Sequence, residues 1–242
     1  MKQLSRATPA VAWLGLLWSL PLPGYADGSV IDKIYHPYVE QLEWELEWRA
    51  VQQRDDPVTG EARYETHKLG LGRAVAEYVF AELYVIGEAS AERSLQVQAW
   101  EAEVLWQMSE QGEYLLDYAL LFELERSRDY DIWEYSTTLL LERELGRFSA
   151  TANLGLGYEW GDDIADELET TVALQARYRH SPGLEPAVEL YLGEDTRALG
   201  PVLLGMARIG PRQALRWEAG VVWGLDQATS DYSFRAVLEY EF

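Results

Sequence analysis

Carboxylates recur at every second position through much of this chain. Glu43, Glu45 and Glu47 alternate with Leu42, Trp44, Leu46 and Trp48. Glu101 and Glu103 alternate with Ala102, Val104 and Trp106, and Asp117, Glu123 and Glu125 with Tyr118, Phe122 and Leu124. Glu159 ends a run, Ser149, Thr151, Asn153, Gly155 and Gly157, interleaved with Ala150, Ala152, Leu154, Leu156 and Tyr158. In a strand, a period of two puts each polar set on one face. A polar face so rich in carboxylates concentrates cations and turns anions away. Arg49, Arg177, Arg179, Arg216 and Arg235 fall on the same faces. They offer a second use for the charge, since Glu–Arg pairs also knit a narrow polar interior together.

Other chemistries find less support. The chain has no cysteine and three histidines, His36, His67 and His180. No His-x-x-x-His, Met-rich or Cys pattern marks a transition-metal site, so no metal and no cofactor is assigned. His67, beside Thr66, is the one candidate base for a hydrolase, but no Gly-x-Ser-x-Gly nucleophile context occurs, and His67 reads instead as a lumen or rim residue. No catalytic residue is assigned. Gly70/Gly72 and Gly155/Gly157 are not phosphate loops, because no helix follows them; they make room for neighbouring side chains or let strands bend.

The elements that carry the acidic faces read as long strands. The last is the most regular, with Tyr232, Phe234, Ala236, Leu238, Tyr240 and Phe242 on one face and Ser233, Arg235, Glu239 and Glu241 on the other. Aromatic residues stand at both ends of the apolar row and aliphatic ones between them, the order suited to a strand crossing a bilayer. The run from 148 to 160 repeats this order. Twelve such runs follow one another from Leu42, the fifth over about 113–126. Six links are longer (54–61, 87–94, 127–131, 161–167, 194–200 and 226–230) and five shorter (74–76, 109–112, 146–147, 180–183 and 210–213). Gly70, Gly72, Glu82, Pro186 and Gly205 blur the second, third, ninth and tenth runs, so ten or fourteen strands also fit. A soluble sandwich or lipocalin-like cup would use shorter strands and would not place rings at two levels.

A terminal strand that ends on Phe242, with Tyr240 two residues before it, resembles the last strand of Gram-negative outer-membrane β-barrel proteins, porin-like and of about twelve strands. The resemblance implies an all-β fold, a closed antiparallel up-and-down transmembrane β-barrel. It implies a place in the cell outer membrane after export through the periplasm, contact with outer-membrane lipid, and Tyr240 and Phe242 as a signal read by the outer-membrane assembly machinery.

The N-terminus fits such a route. Lys2 and Arg6 precede an apolar run and a Gly24-Tyr25-Ala26 ending, so 1–26 reads as a signal peptide. Residues 27–41 read as a periplasmic lead-in, or as a short segment tucked into the barrel, and 42–242 as the barrel. Loss of Lys2 and Arg6 takes the formal charge from −21 to −23, which excludes nucleic acid as a partner and favours small cations. The expected function is a passive channel for small cationic or polar solutes through an acidic lumen. The alternatives are an outer-membrane lipid hydrolase and a plugged barrel that serves as a structural or docking body.

Overall fold

The computed structural model describes residues 30–40, 44–55, 57, 60 and 62–242. The signal peptide expected over 1–26 and the candidate Glu43 lie outside the described residues. Twelve strands follow in chain order. The first six are β1 (Trp44–Arg54), β2 (Arg63–Ala76), β3 (Val79–Ser90), β4 (Gln96–Gln107), β5 (Asp117–Ser127) and β6 (Ile132–Leu145). The others are β7 (Phe148–Gly161), β8 (Glu167–Tyr178), β9 (Glu185–Leu192), β10 (Arg197–Arg208), β11 (Ala214–Gly224) and β12 (Tyr232–Glu241).

Each strand pairs antiparallel with its sequence neighbour, and β12 returns to β1 to close the barrel. The closing seam runs in unbroken register from Glu45↔Glu241 to Arg54↔Tyr232. Beyond it, Trp44 and Phe242 exchange backbone hydrogen bonds of 3.1 and 2.9 Å. Closure leaves no strand edge, which is what a sheet surrounded by lipid requires. This is the closed antiparallel barrel that the resemblance implies, with twelve strands.

We call the end where β1 starts and β12 finishes the base, and the other end the mouth. The outer wall is apolar: Leu46, Leu69, Leu83, Leu154, Leu203 and Leu238 are all exposed on it. Rings mark its two levels. Trp44, Trp106, Phe148 and Phe242 lie toward the base; Trp133, Trp160, Trp223 and Tyr232 lie toward the mouth. Tyr240 and Phe242 stack on the outside with ring centroids 5.5 Å apart.

Two expectations need correcting. β5 begins at Asp117 rather than near 113, so Tyr114 and Leu116 precede the strand. The cause is a turn: Gly112 has φ of +74°, and its amide donates to the Asp117 carboxylate at 2.8 Å. As a result residues 108–116 form a long link at the base, while 128–131 at the mouth is short. The expected asymmetry between short and long connections therefore does not hold. The paired glycines in β2 make room for rings. A Cβ on Gly72 would come within 2.6 Å of the Phe80 ring, and one on Gly70 within 2.7 Å of the Tyr84 ring.

Candidate functional site

Residues 30–40 lie inside the barrel, against inward-facing side chains of the wall. They run from the mouth side down to the base. Ile31 and Ile34 are buried in an apolar cluster with Val51, Tyr191, Ala198 and Val222, which anchors the segment by hydrophobic contact. Lower down, Asn153 holds the Tyr35 backbone with both side-chain atoms: its Oδ1 accepts from Tyr35 N at 2.8 Å, and its Nδ2 donates to Tyr35 O at 2.9 Å. Tyr38 donates to Asp117 at 2.8 Å, Val39 N donates to Gln107 at 2.7 Å, and Glu40 meets Arg216 at 3.0 Å. Backbone groups inside a membrane need partners, and the barrel wall supplies them at Asp32, Tyr35 and Val39.

The lower lumen is knitted by ion pairs around this segment. Arg49, 2 % exposed, contacts Glu47, Glu103 at 3.2 Å and Asp32 at 3.1 Å. Its guanidinium lies over the rings of Tyr35 and Tyr84, 5.1 and 4.7 Å from their centroids. Lys33 meets Glu47 at 2.5 Å and also meets Glu239. On the facing wall, buried Glu142 accepts from Thr151 at 3.2 Å and contacts His36 Nδ1 at 2.5 Å, with Arg177 at 3.5 Å and Arg179 at 3.7 Å. Glu189 pairs with Arg235 through two nitrogens and accepts from Gln175 at 2.8 Å; Arg235 also reaches Glu218 at 2.7 Å. A buried ion of this kind is tolerable only when paired and hydrogen-bonded, as each of these is.

Toward the mouth the lumen opens into a cavity of about 420 Å³. Asp32, Glu88, Glu101, Glu123, Glu125, Glu134, Glu159 and Glu169 line it, with Lys33, Arg49 and Lys68 as the lining cations. Lys68 is engaged by Glu101 at 3.0 Å and by Asp32 at 3.6 Å. Register sets these carboxylates against one another. Glu101 stands opposite Glu125, Glu125 opposite Glu134, Glu134 opposite Glu159 and Glu159 opposite Glu167, an arc over five consecutive strands. A second row runs Glu82, Glu103, Glu123. Like charges in direct opposition destabilise a sheet, and Lys68 at Glu101, Arg49 at Glu103 and the Ser136 hydroxyl at Glu123 offset part of that cost.

Of the residues that sequence singled out, Glu45, Glu47 and Arg49 sit on the inner face of β1 and Glu101 and Glu103 on that of β4. Glu123 and Glu125 sit on the inner face of β5, Glu159 on that of β7, Arg177 on that of β8, Arg216 and Arg235 on those of β11 and β12, and Arg179 just past β8. Asp117 faces inward at the base as a turn partner for Gly112 and Tyr38. Two groups come together closely: Glu101, Glu103 and Glu123, and Glu45, Glu239 and Glu241, each offering oxygens within 4.8 Å of one another. Oxygen-only sets of this kind suit hard cations. His67 does not join them. It lies on the outer wall, stacked on Trp48 at 5.9 Å, with Glu65 as its carboxylate neighbour at 3.6 Å.

Sequence reasoning missed Asp32, Lys33, Tyr35, Lys68 and Tyr191. Lys68 shows in the alternation of β2 once Tyr64 and Thr66 are read on its face. The inner segment leaves only a faint trace, in Ile31 and Ile34 spaced three apart within a polar stretch.

Neither a protein-family model nor a curated protein sequence matches the chain. Solved structures do match in fold. The KdgM porin in complex with disordered oligogalacturonate superposes with a TM-score of 0.52 at 12 % identity, over 82 % of this chain and 99 % of that one. The COG4313 outer membrane channel from Pseudomonas putida F1 gives 0.51 at 11 % identity, over 89 % and 98 %. With the closed sheet, the apolar outer wall and the two levels of rings, these likenesses identify the fold: this chain is a twelve-stranded β-barrel of the outer-membrane kind.

Proposed function

We propose that this barrel is a passive channel for small cationic or polar solutes, with the carboxylates of an acidic lumen as its selecting groups. Glu45, Glu47, Glu101, Glu103, Asp117, Glu123, Glu125 and Glu159, together with Glu43, line the path in this reading, and Arg49, Arg177, Arg179, Arg216 and Arg235 brace it. The observation that carries the reading is the cross-strand arc Glu101–Glu125–Glu134 facing a 420 Å³ cavity. Opposed carboxylates cost stability and are useful where cations are to be gathered from water. Export by a signal peptide over 1–26 in a Gram-negative cell, and recognition of the outward-facing Tyr240 and Phe242 by the assembly machinery, belong to the same reading.

Planar-bilayer recordings under a potassium chloride gradient test it. The reversal potential of the openings is expected to be cation-selective, and to move toward zero when Glu101, Glu125 and Glu134 are all changed to Gln. Anion selectivity, or a reversal potential indifferent to the three substitutions, would overturn the proposal.

A further inference from the structure

The Glu47–Glu239 pair already holds a cation, and the chain itself supplies it. Lys33 belongs to the inner segment and not to the wall. Its ammonium lies 2.5 Å from Glu47 and also contacts Glu239, both on the closing strands. Glu47 is fully enclosed, and Glu239 is nearly so. The Lys33 ammonium also lies 5.2 Å from the Tyr35 ring centroid, and it shares Glu47 and that ring with the Arg49 guanidinium. We propose that Glu47 and Glu239 form a cation site on the permeation path, and that Lys33 is a tethered occupant of it, closing the channel while residues 30–40 are in place. The proposal rests on the cation-channel reading and adds its regulation.

Three features fit a removable occupant rather than a permanent brace. The segment joins no strand of the barrel, and β1–β12 pairing is complete without it. Its apolar contacts are two and small: Ile31 and Ile34 against Val51, Tyr191, Ala198 and Val222, and the partly buried Tyr35 and Val39 against Leu105, Ala119, Leu121 and Leu140. Its withdrawal would open Glu239 and the Oε2 of Glu47 to water and to a permeant cation, while Arg49 and the Tyr84 hydroxyl stay on the Oε1 of Glu47, and would leave Lys68, which Asp32 now shares, to Glu101. A free cation that binds the vacated pair favours the withdrawn state by the ordinary logic of population shift.

Single-channel recording on the full chain tests this. Lys33→Met removes the ammonium but keeps the length of the side chain, and should raise open probability about tenfold or more, the scale set by losing one enclosed charged contact in a two-state balance. Lys33→Arg should behave as the parent does. A second arm does not depend on Lys33. The chain has no cysteine, so Ile34→Cys with Val222→Cys, two members of one buried cluster, introduces a single disulfide. Oxidised, this protein should be silent; reduced, it should conduct like the parent. Retention of the heat-modifiable folded band checks that each variant has formed a barrel. A locked protein that conducts as well as its reduced form, or Lys33→Met openings no more frequent than the parent's, overturns the gate and leaves cation selectivity standing. If no protein, reduced or mutated, passes current, the channel reading fails, and the gate fails with it.

Discussion

In the lower lumen Glu142 and Glu189 are fully enclosed, and each meets a guanidinium or an imidazole from the wall or the inner segment. Toward the mouth, Glu125 and Glu134 stand opposite each other in the sheet beside a cavity, and Lys68, an ammonium of that cavity, is engaged by Glu101 and Asp32. The residue type and the face of the sheet are the same; the partners differ. A carboxylate enclosed with a cation is structure, because breaking the pair strands a charge where water cannot reach it. A carboxylate set opposite another in the sheet costs little to neutralise, and under the proposed function its loss lowers selectivity. The two halves of one polar face therefore answer mutation in opposite ways.

The comparison can be broken most forcefully at Arg235. Arg235→Met leaves Glu189 and Glu218 without their guanidinium and is expected to destabilise the barrel by about 3–5 kcal/mol, measured by urea unfolding in detergent micelles. A loss no larger than that of a surface substitution would mean the lower lumen is wetter than its burial implies. Next in size, Leu154→Arg puts a charge on the outer wall near mid-height, where about 2–4 kcal/mol is expected at the bilayer midplane, read from the same unfolding curve in lipid vesicles. A neutral outcome there would contradict the assignment of that face to lipid. At the mouth, Glu125→Gln with Glu134→Gln relieves an opposed pair and should change stability by less than about 1 kcal/mol, in the stabilising direction, while cation selectivity falls. Marked destabilisation would show that the arc is a structural network after all. The smallest effect is ionic. Raising salt from 0.1 to 1 M shortens the Debye length from about 10 to about 3 Å, so selectivity set at the open mouth should weaken while the enclosed pairs below hold the fold unchanged.

Much of this barrel was legible because its governing pattern is local. Alternation from Leu154 to Trp160 decides which side chains face lipid and which face inward without reference to any other strand. The same holds for Glu101, Glu103, Glu123 and Glu125, each placed on the inner face by its immediate neighbours. The start of β5 was misread because apolar alternation continues through Tyr114 and Leu116, while the Gly112–Asp117 turn that delays the strand depends on one hydrogen bond that alternation does not encode. His67 escaped the right face because β2 mixes threonine, lysine and glycine, and its alternation is shallow.

By itself, then, the sequence determined an antiparallel sheet of long two-faced strands, with an acidic side and a ring-bounded apolar side, since a period of two is a property of consecutive residues. The tertiary structure alone decided which carboxylates meet cations and which meet each other, and that residues 30–40 turn back into the lumen to set Lys33 between Glu47 and Glu239. Those outcomes depend on register summed over several strands and on contacts between residues as far apart in the chain as Lys33 and Glu239, and no local periodicity records them.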